Sequence, residues 1–253
     1  MSGHSHWATI KRKKGANDAK RGQAFTRLGR ELAIAAREGG ADPDGNFKLR
    51  LVVDKARGAG MPKDNIERAI RRGAGLDKDA AVFEEAMFEG YGPHGVAMLV
   101  NVVTDNRNRT ISDLRHLFAR SGGNLAENGA VAWGFEQKGY ISAPRDGMNA
   151  DKAFEMAIEA GAEDVEVGDD SIEFYTQSGD LHTVSTALRA AGIKPDSIEL
   201  VMKPKTLMTL SPKDAVTVMN VIEGLEELDD VQTVFSNLDI TEDVVKEMEA
   251  MAA

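Results

Sequence analysis

The chain has 253 residues, 42% of them hydrophobic, enough to bury more than one core. It has no cysteine, which excludes disulfides, thiolate metal sites and cysteine nucleophiles and fits a reducing, cytoplasmic location. No stretch approaches the roughly 20 apolar residues that cross a bilayer, so no membrane partner is expected. The net charge of −10 conceals two opposed parts, because residues 1–75 carry +9 and the remainder −19. A basic end on an acidic body suits a protein that docks one end on a polyanion.

Residues 1–14 read as a mobile arm in which Trp7 precedes the run Lys11-Arg12-Lys13-Lys14. Four adjacent cations repel one another unless phosphate neutralises them; the alternative is an ordinary solvated charge run. From Ala16 to Glu38 a helix is predicted, with Phe25, Leu28, Leu32 and Ala35 on one face and Lys20, Arg27, Arg30 and Arg37 on the opposite one. Arg21 falls off the basic face, near the helix start. Gly39-Gly40 and Asp42-Pro43-Asp44 separate it from a second helix, Asn46 to Arg57, and a third follows from Pro62 to Gly73. Arg68, Arg71 and Arg72 lengthen the basic surface of this three-helix unit.

Beyond Gly75 the pattern alternates. Phe83 to Tyr91 and Val96 to Val103 read as strands joined by Gly92-Pro93-His94-Gly95. Phosphate loops precede helices, and this glycine-rich loop precedes a strand, so it is read as a turn. Arg107 and Arg109 sit where the second strand meets a helix containing Ile111, Leu114 and Phe118. There they could bind phosphate, or pair with Asp105 and Asp113, and both readings stand. Val131, Trp133 and Phe135 alternate as a strand in which Trp133 is expected to cover a core rather than stack a base.

Residues 138–203 repeat an order βαββαβ, with both helices ending in Ala-Gly, at Ala160-Gly161 and Ala191-Gly192. That order predicts a ferredoxin-like sandwich. Thr206 to Leu210, a helix from Pro212 to Leu228 and a strand from Val231 to Phe235 are expected to complete the sheet begun at Phe83. The domains would then be 1–76, 77–136 with 205–253, and an inserted 137–204, giving an α+β fold. The acidic run Glu226 to Asp230 reads as solvated surface.

The five histidines do not cluster, and no nucleophile elbow, Walker A sequence or dinucleotide fingerprint occurs. No catalytic residue, metal or cofactor is therefore expected.

Several stretches resemble the YebC family, the group that includes the mitochondrial translational activator of cytochrome c oxidase. They are Gly3-His4-Ser5 with Trp7, Asp18-Ala19-Lys20-Arg21-Gly22, Gly39-Gly40 to Pro43, Glu89-Gly90-Tyr91-Gly92-Pro93, Asp105-Asn106-Arg107-Asn108-Arg109-Thr110 and Gly122-Gly123-Asn124-Leu125. The resemblance spans essentially the whole chain and implies a helical first domain followed by two α/β domains, one interrupting the other. It also implies a non-enzymatic regulator of gene expression. One version is a ribosome-associated translation factor that meets ribosomal and transfer RNA and relieves stalling at proline runs by positioning RNA. The alternative is a DNA-binding transcriptional regulator. The nucleic-acid contacts expected are His6, Trp7, Lys11, Arg12, Lys13, Lys14, Lys20, Arg21, Arg27, Arg30, Arg107 and Arg109, on a monomer with no heptad seam.

Overall fold

A computed structural model describes residues 18–76, 82–168 and 170–252. In chain order the elements begin with three helices, α1 (Asp18–Gly39), α2 (Phe47–Gly58) and α3 (Lys63–Gly73). Then come β1 (Glu84–Tyr91), β2 (Ala97–Thr104), α4 (Arg107–Arg120) and the short β3 (Asn124–Leu125). They are followed by β4 (Phe135–Pro144), α5 (Ala150–Ala160), β5 (Asp164–Val167), β6 (Ser171–Gln177), α6 (Leu181–Ala190) and β7 (Ser197–Pro204). Last are α7 (Pro212–Glu226), β8 (Val231–Ser236) and α8 (Glu242–Ala252). The fold is α+β, a helical N-terminal region followed by two antiparallel four-stranded sheets with their helices. Two compact units result, the described residues of 14–132 with 213–236 and those of 133–212 with 237–253.

In the first unit, the apolar stripe predicted for α1 is the one that packs. Leu28, Leu32, Ala35 and Ala36 join Leu49, Val53 and Ala56 of α2 and Ile66 of α3. Asn46 caps α2 through its Oδ1, which accepts from the Leu49 N–H at 3.0 Å. The α1–α3 crossing is close enough that a Cβ on Gly73 would lie 2.1 Å from the Ala33 carbonyl oxygen, so only glycine fits. A second stripe of α1, Ala33 and Ile34, is buried with Phe83 and Val103, which docks the helix on the sheet. That sheet has strand order β3-β1-β2-β8.

One segment differs from the sequence expectation. Of the segments expected to complete the sheet, only Val231–Ser236 does so, beside β2. Thr206 to Leu210 lies in the other unit and contributes one isolated parallel bridge, Met208 to Leu238, before Pro212, which has no N–H to extend a ladder. Gly90 and Gly123, in the Glu89–Pro93 and Gly122–Leu125 motifs, are packing residues. A Cβ on Gly90 would meet the Phe118 ring at 2.7 Å, and one on Gly123 would meet the Tyr91 carbonyl oxygen at 2.3 Å.

The second unit holds the sheet β5-β6-β4-β7, the order of a ferredoxin-like βαββαβ fold, with all neighbours antiparallel. Strand alternation sends Ile141, Phe174 and Ile172 to the same face, and all are buried, as are Ala153 and Ala157 of α5 and Val184 and Leu188 of α6. Trp133 is a correction. It lies in a short 3-10 turn rather than a strand and is 73% exposed, so it covers no core within its unit. The turn arises because Gly134 follows at once and β4 begins only at Phe135.

Candidate nucleic-acid interface

The basic face predicted on α1 is engaged within the first unit. Arg27 Nη2 donates to the Glu226 carbonyl, and Arg30 Nη1 donates to the Asp229 carbonyl and pairs with Asp230 Oδ1 at 3.0 Å. Gln23 Nε2 donates to the Glu227 carbonyl. The Glu226 carbonyl ends α7, where the last turn leaves acceptors unsatisfied and the helix dipole is negative, and those of Glu227 and Asp229 follow directly after it. The cations of α1 therefore cap the C-terminus of α7. Burial lowers the Arg27 pKa from its ordinary value, against the raising effect of Glu226, Asp229 and Glu31.

Asp230 is the centre of this junction. Its residue is 5% exposed, and its carboxylate accepts from Thr110 Oγ1 at 2.7 Å, Thr104 Oγ1 at 3.1 Å and Arg109 Nη2 at 2.8 Å. Burial pushes its pKa up, but the donors from Arg109, Thr110 and Thr104 and the charge of Arg30 outweigh that and hold it below the usual carboxylate range. The same contacts, led by Asp230, raise the pKa of Arg109.

One sequence reading is corrected at this junction. The run from Glu226 to Asp230 is not simply solvated, because Glu226 and Asp230 are buried. Arg109 pairs with Asp105 at 3.0 Å, as one of its two sequence readings has it, and also with Asp230, while its side chain stays 47% exposed. Asp230 reaches Arg109 from 121 residues along the chain.

Arg107 is different. It remains 48% exposed, lies 4.0 Å from Glu84, and stacks its guanidinium 5.2 Å from the Phe88 ring centroid. Of the other predicted contacts, His6, Trp7, Lys11, Arg12, Lys13 and Lys14 lie outside the described residues. Lys20 and Arg21 lie on the first turn of α1, where only the backbone is described.

The same unit carries a groove of about 370 Å³ that joins α1, α3 and the residues before β1. Phe25, Met61, Ala69 and Phe83 supply its apolar surface, and Thr26, Arg30, Asn65, Arg68, Arg72 and the single carboxylate Asp105 its polar one. Arg72 places its guanidinium 4.4 Å from the Phe83 ring centroid. Arg68 is exposed and makes no ion pair among the described residues. The Asn65 side-chain amide is half-buried and has no partner among them either. Asn65, Arg68, Ala69 and Arg72 share a helix face because they are spaced three, four and seven apart. That spacing is visible in the sequence, whereas the participation of Phe25 and Phe83 depends on how α1, α3 and β1 meet.

A second buried carboxylate shapes the unit. Glu89 accepts from the N–H groups of Gly129, Val131 and Ala132 at 2.6, 2.7 and 2.8 Å, and the Tyr91 hydroxyl donates to the Ala130 carbonyl at 3.0 Å. Burial alone would raise the Glu89 pKa, but the three amide donors lower it below its ordinary value. The Glu89-Gly90-Tyr91 motif thus fixes the segment 126–132. It makes no phosphate cradle.

Domain models of one family match most of the sequence. The TACO1/YebC protein N-terminal domain matches residues 5–76, and the TACO1/YebC second and third domain matches residues 83–238. The chain belongs to the TACO1/YebC family. Among its TACO1/YebC relatives, a protein of Dehalococcoides mccartyi named "Probable transcriptional regulatory protein" is 51% identical over 252 residues, covering 100% of both chains. One of the same name from Citrifermentans bemidjiense is 48% identical and covers 98% of this chain and 100% of its own. The crystal structure of a conserved hypothetical protein from Aquifex aeolicus is 43% identical and superposes with a TM-score of 0.85, covering 92% of this chain and 96% of that one. Among the described residues, no helix of this TACO1/YebC chain is long and apolar enough to cross a membrane.

Proposed function

We propose that this chain is a non-catalytic, RNA-binding regulator of gene expression, a cytoplasmic translation factor that meets ribosomal and transfer RNA and relieves stalling at proline runs by positioning RNA. The observation that carries this reading is the arginine-lined groove on α1 and α3. Its apolar surface suits the face of an unstacked base, Asn65 offers donors and an acceptor to a base edge, and Arg68 and Arg72 suit the flanking phosphates. Unstacked bases are abundant in single-stranded and looped RNA and are absent from an intact DNA duplex. In this reading His6, Trp7, Lys11, Arg12, Lys13, Lys14, Lys20, Arg21 and Arg107 are further RNA contacts. Arg27 and Arg109 hold the surface in place instead of touching RNA, while Arg30 both pairs with Asp230 and lines the groove. In this reading the chain is a monomer built of the three modules 1–76, 77–136 with 205–253, and 137–204.

A DNA-binding transcriptional regulator is the second reading, and the names of the relatives favour it. Crosslinking in cells at moderate salt, followed by sequencing of the recovered nucleic acid, separates the two. Ribosomal and transfer RNA support the translation reading, and discrete promoter fragments without ribosomal signal overturn it. Replacing Lys11 to Lys14 with alanine is expected to flatten the salt dependence of RNA affinity by about 3 to 4 in log–log slope, close to one per lost cation; an unchanged slope removes those lysines and Arg12 from the interface.

A further inference from the structure

The ferredoxin-like unit has a binding feature of its own. Four-stranded sheets of this topology can stack bases on aromatic residues of their two central strands. Here β4 and β6 do carry Tyr140 and Tyr175 directly opposite each other, with ring centroids 5.6 Å apart. They are 4% and 3% exposed, however, and their face also bears Ser142, Glu173 and Glu199. Lys203 lies over Tyr175 and pairs with Asp164 and Glu166 at 3.0 and 3.1 Å. Closed aromatics among carboxylates repel a polyanion, so that face is not the platform.

At one end of the sheet, where β4 leads to α5 and α6 leads to β7, a cavity of about 560 Å³ opens. Arg145, Lys152 and Lys194 line it from three separate segments. Residues 133–212 hold 14 acidic and 7 basic residues, so three cations around one cavity run against the charge of their surroundings. Lys152 and Lys194 are exposed and make no ion pair among the described residues. The Arg145 side chain is held by carbonyls, its Nε donating to Met148 at 2.9 Å and its Nη1 to Gly168 at 3.0 Å. Its orientation is thereby fixed without a described carboxylate to neutralise it. Asp146 is the one acidic residue in the lining, and Met148, Ile172 and Ile193 form an apolar wall. The α5 N-terminus is already capped by Asn149, whose Oδ1 accepts from the Lys152 N–H at 2.8 Å, so the three cations and not the helix end carry the inference.

We propose that this cavity binds a nucleoside phosphate, with the phosphate between Arg145, Lys152 and Lys194 and the nucleoside against Met148, Ile172 and Ile193. The volume lies within the roughly 300–1,000 Å³ range of small-ligand sites and exceeds what a bare phosphate needs. The phosphate can come from a free nucleotide or from the 5′-phosphorylated end of an RNA strand. The site is independent of the groove on α1 and α3.

The test is amide NMR titration of the full-length protein with adenosine 5′-monophosphate, adenosine, and hexa-adenylate RNA with and without a 5′-phosphate. The monophosphate is expected to shift the amides of Gly147, Lys152 and Ile193, and adenosine to bind about tenfold more weakly, because charge-assisted contacts to phosphate are lost. Lys152→Glu and Lys194→Glu, both on exposed side chains, are each expected to weaken the monophosphate by about fivefold or more with unchanged thermal melting. Arg68→Glu is expected to leave this titration unchanged, which keeps a failure of the groove distinguishable from a failure of the cavity. Equal binding of adenosine, indifference to both lysine variants, or no shift at millimolar ligand overturns the proposal. Tighter binding of the 5′-phosphorylated hexamer than of the monophosphate supports an RNA end, and the reverse order supports a free nucleotide.

Discussion

The junction at Asp230 and the groove beside Asn65 lie in one unit, and both are built from arginines of the basic N-terminal region. At the junction, Arg27 and Arg30 meet carbonyls and a buried carboxylate, and their charge serves to join α1 to the end of α7. In the groove, Arg68 is exposed and Arg72 stacks on Phe83. The difference shows that a row of cations on a helix carries two possible uses, and the neighbour packed against that row selects between them. The same region therefore contains cations that maintain the fold and an exposed one, Arg68, available to a ligand.

The largest expected effect tests the first half of that contrast. Asp230→Ala removes the shared acceptor of Arg30, Arg109, Thr104 and Thr110, and urea denaturation is expected to show a loss of about 3–5 kcal/mol, as for other broken buried pairs. A loss below about 1 kcal/mol would mean that the arginines of α1 are not held by the junction. Glu89→Gln comes next. An amide keeps one acceptor but turns donors toward the N–H groups of Gly129, Val131 and Ala132, so about 2–3 kcal/mol of stability is expected to be lost in the same measurement.

Acid sharpens the comparison without a substitution. Asp230 and Glu89 both have folded-state pKa values below their ordinary ones. Their stabilisation is complete above the unfolded carboxylate pKa values, near 4, and is lost as pH falls through the lower folded values. Stability is expected to fall below about pH 4, and Asp230→Asn is expected to flatten that dependence relative to the wild type; parallel curves would exclude Asp230 as a source.

The smallest stability effect is expected in the groove. Arg68→Glu should change unfolding free energy by no more than about 0.5 kcal/mol while lowering RNA affinity about tenfold in fluorescence anisotropy. If instead it destabilises the fold and leaves RNA binding intact, the two regions have been assigned in reverse.

Most element positions were legible from periodicity and punctuation. The stripe Leu28, Leu32, Ala35 packs as spaced, Asn46 caps a helix, and the βαββαβ order gives the expected sheet. The last helix, Glu242–Ala252, and the short strand Asn124–Leu125 were not anticipated. A two-residue strand has no period to detect, and the final helix is short, with its apolar residues scattered among acids. Trp133 was misassigned because alternation over three residues is also produced by a turn that leads into a strand. In the candidate site, Arg68 and Arg72 were visible as part of a basic surface, while Phe25 and Phe83 could join them only through packing.

The sequence by itself determined the elements, the absence of cysteine chemistry, the segregation of charge and the family, because these depend on local spacing and composition. Tertiary structure decided which charges remain available. Asp230 and Arg109 are 121 residues apart in sequence and within hydrogen-bonding distance in space, and no local pattern encodes that meeting. A charge is neutralised by whatever lies a few ångströms away, and that neighbour is set by how helices and strands pack.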